Sequence, residues 1–323
     1  MVLRHLGAKV HGISLPPEGP ENLFTLLGIQ NGVTSDLVDI RNRAAIKTIV
    51  ATAKPDIVIH MAAQALVRRS FTDAYDTFDT NIMGSLALLD ALSENKLNPV
   101  VLAITSDKVY RNDETGHAFT EGDALGGDDP YSASKAACEI AVHAFAKAKH
   151  LRVATARAGN VVGGGDFAQD RILPDIIRAL QTGQPLKLRN PNATRPWQHV
   201  LDVVTGYLAY AQKLATDFES TPKALNFGPD ADDDNLRVNE VLDIFATEMG
   251  KPVPVELTPD ASKPEKARLN LDTALVSKAL GFQNKYRQRD AICFAAAWYR
   301  QYLGNHDARA LVLTQIENYG WGA

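Results

Sequence analysis

Cysteine is nearly absent: the 323 residues contain two, Cys138 and Cys293. Two such thiols make neither a disulfide framework nor a clustered metal site, and no metal is expected. Cys138 falls on an apolar helical face and reads as a small core residue rather than a nucleophile. Long apolar runs are missing too. No segment approaches the roughly 18 apolar residues needed to cross a membrane, and no signal peptide is visible, so a soluble, cytoplasmic chain with no membrane partner is expected. Net charge is only −4. That gives no general attraction to nucleic acid, and an anionic ligand must meet a local basic pocket. A last absence concerns glycine: no Gly-x-x-Gly-x-x-Gly occurs in the first 60 residues.

What is present is an ordinary globular composition, 45% hydrophobic and 22% charged, with length for one large or two medium domains. The first two-thirds alternates apolar runs with helical patterns. Lys9–Ile13 and Leu151–Ala156 read as strands, and Asp56–Met61 and Pro99–Thr105 as buried ones. Ala45–Ala53, Thr77–Asn95 and Tyr131–Ala148 read as helices. This alternation predicts an α/β fold with a Rossmann-type doubly wound parallel sheet over residues 1–160. From Gly159 the texture changes. Gly163–Gly165 is loop and Asn190–Pro196 is turn-rich. Helices are predicted at Ile172–Thr182, Asp202–Leu214, Val238–Met249, Ser277–Leu280 and Arg289–Leu303, and a strand ends at Asn226–Pro229. Residues 161–323 are expected to form a smaller mixed lobe, with some segments returning to the first domain. Asp230–Asn235 lacks the ligand spacing of a calcium loop and reads as a solvated acidic loop.

Met1–Ile13 looks like the tail of a helix, a turn at Gly7 and a strand. In a dinucleotide-binding unit these are the second half of the first helix and the second strand, with the first strand and its glycine turn before them. Without that strand the core is split, neighbouring strands lose backbone partners, and a pyrophosphate loses its helix N-terminus. A late start is therefore expected rather than a working minimal form, with a different solution at the N-terminus left open.

The chemistry concentrates in Thr105-Ser106-Asp107-Lys108 and Tyr131-Ser-Ala-Ser-Lys135. Tyr131 and Lys135 are four apart and share a helical face. An ammonium beside a phenol favours the phenolate, and such a phenol can take the proton of a sugar hydroxyl while a nicotinamide takes the hydride. A lone Tyr-x-x-x-Lys is usually an ordinary helix pair. Here Asp129-Pro130 opens the helix, and Thr105-Ser106 ends a buried strand, where ligand crevices of parallel sheets lie.

Further residues carry a resemblance. Asp39-Ile40, Ala62-Ala63-Gln64, Asn81 and the Tyr-x-x-x-Lys helix resemble the extended short-chain dehydrogenase/reductase superfamily. Gln64–Phe71, Thr105–Lys108, Gly126–Tyr131, Arg157–Asp166, Arg171 and Arg189–Val200 are similar to the CDP-glucose 4,6-dehydratase family within it, over about Gly7 to Gly304. Pro264–Asp272 matches that family only partly.

The resemblance implies NAD as cofactor and CDP-glucose as substrate. Asp39, Ile40, Ala62, Ala63, Gln64, Asn81, Thr105, Tyr131 and Lys135 would meet the cofactor. Ser106 and Tyr131 would hold O4 of the glucose, with Tyr131 as base and Lys135 lowering its pKa. Hydride would leave C4, a base would take the C5 proton as water leaves C6, and the hydride would return to C6. Asp107 would protonate the departing hydroxyl. Lys108 would be the C5 base or would stabilise the enolate, the base role being preferred. Asn160, Arg171, Arg189 and Arg195 would meet the substrate, the arginines suiting a diphosphate. Arg68 and Arg69, before Ser70, stand in a loop over the cleft within reach of phosphate. Trp197, His199 and His60 read as packing residues. Ser14 after the second strand supplies neither the carboxylate of NAD enzymes nor the arginine of NADP enzymes, so NAD comes from the resemblance alone. A homodimer through Thr77–Asn95 and Tyr131–Ala148 is expected on the same basis. The rivals are a nucleotide-sugar epimerase on the same fold, which needs no counterpart of Asp107-Lys108, and a remnant that retains the site but not the dinucleotide.

Overall fold

The computed structural model describes residues 1–233, 236–258 and 268–321. The end of the acidic run, 234–235, and 264–267 of the partly matching tail segment lie outside them. In chain order the first elements are α1 (Val2–His5), β1 (His11–Ser14), α2 (Leu23–Leu26), β2 (Thr34–Leu37), α3 (Arg43–Ala53) and β3 (Ile57–His60). Next come α4 (Val67–Thr72), α5 (Ala74–Phe78), a π-helical turn at Asp79–Gly84, α6 (Ser85–Glu94), β4 (Val100–Ile104), a 3-10 turn at Asp107–Val109, β5 (Ala118–Phe119), α7 (Pro130–Lys149) and β6 (Arg152–Ala158). The remainder holds β7 (Asn160–Val162), α8 (Ile172–Thr182), β8 (Leu186–Leu188), β9 (Trp197–His199), α9 (Val200–Thr216), β10 (Ala224–Phe227) and α10 (Val238–Met249). It closes with β11 (Val255–Leu257), β12 (Asn270–Leu271), α11 (Ala274–Leu280), α12 (Gln288–Leu303) and α13 (Ala308–Ile316).

Four parallel strands pair in the order β10-β6-β4-β3. β4 is Val-Val-Leu-Ala-Ile, flanked by strands on both edges and covered by helices on both faces, so it is apolar end to end. Side chains alternate between two cores. Val101 and Val153 pack with Ile46, Leu88, Leu92 and Val142 of α3, α6 and α7. Val100, Leu102, Ala154 and Phe227 pack with Tyr207 and Leu214 of α9 and Val276 of α11. A third core, around α8, α10 and α12, holds the lobe. β10 and α9 thus return to the first sheet from beyond residue 161.

The doubly wound sheet is split. β1 and β2 pair with each other as a separate parallel two-stranded sheet, and the hydrogen-bond order breaks between β1 and β3. Both sides nevertheless pack on one core through Ile13, Val38 and Val58. The split explains a departure from expectation. Asp56–Met61, read as buried, holds a strand with one neighbour: Ile57 and Met61 are exposed. The segment Thr77–Asn95, read as one helix, is α5, the π turn and α6 in succession. Among the described residues no helix is long and apolar enough to cross a membrane.

Candidate active site

The site is built where α7 starts and β4 ends. Asp129 caps α7: its carboxylate accepts from the Ser132 amide at 3.0 Å and the Ser132 hydroxyl at 2.6 Å, and Pro130 occupies the first turn. The Tyr131 amide donates to Ser70 Oγ at 3.1 Å, fixing the first turn against α4. The Tyr131 phenol is buried, which pushes its pKa up to about 12. A hydrogen bond with Ser106 and the charge of Arg171 oppose that rise; Asp107 and Asp129 add to it.

Ser106 caps the 3-10 turn that carries Asp107 and Lys108. Its Oγ accepts from the Lys108 amide at 3.2 Å and donates to Asp107 Oδ1 at 3.0 Å. Asp107 is 2% exposed, and its Oδ2 is buried without a hydrogen-bond partner. Burial pushes this carboxyl up from its ordinary value, while Lys108, Ser106 and Arg195 pull it down. The burial effect prevails and favours the protonated acid. Lys108 is half-buried at the same turn.

The Lys135 Nζ donates to the Ile104 carbonyl at 2.9 Å. Helical spacing put Tyr131 and Lys135 on one face, and the long arm of the lysine reaches the last carbonyl of β4. Burial lowers the Lys135 pKa, and Cys138 and Glu139 raise it. Thr105, expected at the cofactor, donates to Glu139 Oε2 at 2.9 Å. His60 pairs with Ser85 Oγ at 2.8 Å, and burial takes its pKa down to about 4. Cys138 is buried, with its thiol on Ser85 at 3.3 Å.

Asn81 sits in the π turn, where one extra residue per turn rotates it inward. Its Oδ1 accepts from the Gln64 amide at 2.8 Å and its Nδ2 donates to Ser134 Oγ at 2.8 Å, tying the end of β3 to α7. Gln64 folds onto its own loop, with Nε2 donating to Thr77 Oγ1 at 2.9 Å. Ala62 and Ala63 lie half-buried between β3 and Gln64. Asp39 is held by Arg41, whose Nη2 donates to it at 2.6 Å; that contact keeps the carboxyl below its usual range. Ile40 packs on Gly84, where a Cβ would come within 2.5 Å of it.

The candidate substrate residues divide. Arg195 is buried, with its charge felt at Asp107. Arg171 acts on Tyr131 and lies 3.9 Å from Asp166. Arg189 lines a separate cavity of about 560 Å³ with Arg68, Arg178 and Lys187. The Asn160 amide donates to the Pro196 carbonyl at 3.1 Å, holding β7 beside β9. Arg68 and Arg69 are in helix α4 rather than a loop, and both line a cavity of about 930 Å³. Trp197 and His199 are packing residues: the indole donates to the Leu236 carbonyl, and His199 stands edge-on to Tyr286.

Residues 2–228 match the family described as NAD dependent epimerase/dehydratase. The chain belongs to that family. It is 34% identical to the CDP-glucose 4,6-dehydratase of Salmonella typhimurium over 98% of this chain and 90% of that one. Its fold matches a UDP-glucose 4-epimerase from Stenotrophomonas maltophila with bound NAD, at TM-score 0.80 and 22% identity, covering 94% of each chain. It also matches the dTDP-glucose 4,6-dehydratase of Bacillus anthracis in complex with NAD, at TM-score 0.77 and 19% identity, covering 93% of this chain and 91% of that one. NAD is the cofactor of this epimerase/dehydratase family. Hydrogen bonds tie Asn81 of the π turn to Ser134 of α7 and Lys135 of α7 to the end of β4, around the residues expected at the cofactor. At the split of the sheet the described residues form no glycine turn leading into a helix; α1 is four residues long and packs through Val2 on Leu201 and Ile316.

Sequence reasoning passed over Glu139 and its partner Arg157, both buried. A signal existed: Tyr131, Lys135 and Glu139 follow at intervals of four, and Glu139 interrupts an otherwise apolar stretch.

Proposed function

We propose that the chain is a CDP-glucose 4,6-dehydratase, converting CDP-D-glucose into CDP-4-keto-6-deoxy-D-glucose and water. The observation that carries this is the buried Asp107 carboxyl, with one oxygen unpartnered, one residue from a serine hydrogen-bonded to Tyr131. An elimination needs such an acid beside the oxidation site; an epimerisation does not. NAD, when bound, would supply the hydride acceptor for oxidation at C4 and the hydride returned to C6. Tyr131 and Ser106 hold the O4 hydroxyl, and Tyr131 takes its proton as the phenolate, a form that Arg171 and Ser106 favour against burial and that the positive charge of bound NAD+ would favour further. Asp107, whose protonated form burial favours, gives a proton to the leaving C6 hydroxyl, and Lys108 takes the C5 proton, which goes back to C5 as hydride adds at C6, or steadies the enolate. Arg195 and Arg189, with Asn160 and Arg171, bind the nucleotide diphosphate. Residues 1–160, with β10, α9 and α11 returning to them, act as the dinucleotide domain, and the rest of 161–323 as the substrate lobe. Likeness to the Salmonella enzyme supports the cytidine nucleotide. A homodimer is proposed through α5, the π turn and α7, which leave Tyr75, Met83 and Ile140 exposed.

The test is turnover of CDP-glucose with added NAD+, followed by the alkaline ultraviolet absorbance of 4-keto-6-deoxy sugars. Absorbance with CDP-glucose exceeding that with dTDP- or UDP-glucose is the expected result. Folded, NAD-binding protein without absorbance from CDP-glucose would overturn the assignment, and UDP-galactose formed from UDP-glucose would make it an epimerase.

A further inference from the structure

We propose that Glu139 is a positioning residue for the catalytic turn: its carboxylate clamps Thr105 and thereby sets Ser106, Asp107 and the Lys135 ammonium relative to Tyr131. This rests on the reading of that turn as the dehydratase centre. Glu139 is 1% exposed and lies one helical turn past Lys135 on α7. Its Oε2 accepts from Thr105 Oγ1 at 2.9 Å. Its Oε1 accepts from Thr155 Oγ1 at 3.1 Å and Arg157 Nε at 2.8 Å, and Arg157 Nη2 bonds it as well. Arg157 is itself held: Nη1 donates to the Tyr110 hydroxyl at 2.7 Å and the Glu121 carbonyl at 3.1 Å, and Tyr110 donates to Asn226 at 2.6 Å. The carboxylate therefore joins α7, the end of β4 and β6, and Arg157 and Tyr110 carry the connection on to β10.

Its position matters because of what flanks Thr105. The preceding carbonyl, Ile104 O, is the one that holds Lys135 Nζ, and the following residues are Ser106 and Asp107. A buried ion pair is weak evidence for stability, since replacing it with apolar residues is often neutral. A carboxylate that also takes the hydroxyls of Thr105, just past the end of β4, and of Thr155, within the adjacent β6, serves geometry instead. The groups facing Lys135 are Cys138 and Glu139 on α7, His60 from β3 and the Ile104 carbonyl from β4. Glu139 is the acid among them that favours the ammonium. Removing its charge lets Lys135 lose its proton at lower pH.

Glu139→Gln, Thr105→Val and Thr105→Ser are compared with the unaltered chain by kcat and KM across pH, by melting temperature, and by nitrogen-15 NMR of the lysine ammonium, assigned with Lys135→Met. Glu139→Gln is expected to lower kcat at least about tenfold with KM nearly constant, since small misplacements act on chemistry before binding. Its Lys135 signal and the alkaline limb of kcat both move to lower pH. Thr105→Val lowers kcat without moving the Lys135 titration, and Thr105→Ser recovers most of the loss. A Glu139→Gln protein that melts lower but keeps kcat per folded molecule and the Lys135 titration would overturn the proposal. Should that variant fail to fold, full kcat in Thr105→Val, whose ion pair is intact, overturns it equally. If the unaltered chain is silent with CDP-glucose, the dehydratase reading fails; an unmoved ammonium signal in Glu139→Gln then overturns the positioning role, and a shifted one upholds it.

Discussion

Gly127→Ala would strike the start of α7 from below. A methyl at Gly127 would stand 2.4 Å from the Ala133 nitrogen, 2.5 Å from the Ser132 carbonyl carbon and 2.6 Å from Ser132 Cβ. That is about 1 Å inside ordinary contact, and two of the three atoms are backbone, which no rotamer can move. Something must shift, and both ways out lead to the site. If α7 gives, Tyr131 moves, because its amide on Ser70 and the Asn81–Ser134 bond belong to the same turn. If the loop gives, the Gly126 amide pulls on the Val109 carbonyl at 2.8 Å, and Val109 ends the turn that carries Asp107 and Lys108. A displacement near 1 Å between phenol and acid costs on the order of 100-fold in kcat. Overpacking costs about 1–3 kcal/mol of stability. Gly126→Ala is the matched comparison: a methyl there meets Arg111 at 3.5 Å and beyond, an ordinary contact. The assay is 4-keto-6-deoxy sugar formation at saturating CDP-glucose, with a thermal melt of each protein. Gly127→Ala should lose about two orders of magnitude in kcat, and Gly126→Ala should stay within about twofold. Equal kcat in the two proteins would refute the reasoning.

Asp107→Asn should lower kcat by about 10²–10⁴, the range for loss of a general acid. The same change should raise the melting temperature at pH 7, because folding disfavours the ionised carboxyl. That gain should shrink as pH falls from the raised folded-state pKa towards the unfolded-state value near 4 and vanish below it, where the carboxyl is protonated in both states. The Tyr131 phenol of the free protein, pushed up to about 12, should stay un-ionised at pH 10.5, so phenolate absorbance at 295 nm there should be equal in Tyr131→Phe and the unaltered chain. His60 and His199 are buried neutral, both with pKa lowered to about 4. Their contribution to stability is complete above about pH 6.5 and is lost as pH falls from there towards 4, on the order of 3 kcal/mol for each over the full span. Melts at pH 7, 6, 5 and 4 should show a steep fall, shallower in His60→Gln.

The parts of the fold legible in the sequence were those where burial acts on every residue. Pro99–Thr105 and Leu151–Ala156 are apolar because strands flank them on both sides, and the observed β4 and β6 follow. β2 was not legible: Thr-Ser-Asp-Leu is a short pair partner at the far edge, half in solvent. The paired strands of the lobe, such as β7 with β9 and β8 with β11, are three residues long, too short for a period-2 pattern to emerge. The π turn was hidden because Thr77–Asn95 has one helical periodicity, while the extra residue that rotates Asn81 is set by its bonds to Gln64 and Ser134. In the candidate site, helical spacing singled out Tyr131 and Lys135, and the place after a buried strand singled out Ser106 and Asp107. Spacing did not give the target of the Lys135 arm, which depends on where the last carbonyl of β4 falls in space.

The break between β1 and β3 has a mechanical meaning. Hydrogen-bond ladders carry strain along a sheet; side-chain packing carries it far less faithfully. Among the described residues the His11–Ser14 and Thr34–Leu37 pair shares no ladder with the rest and packs on the common core through Ile13 and Val38, whereas β3, β4, β6 and β10 form one continuous ladder. Ser106 and Asp107 thus follow a strand held by hydrogen bonds along both edges, while Asp39 and Ile40 follow one tied to the core through side chains, among them the Arg41 pairs with Asp76 and Asp79.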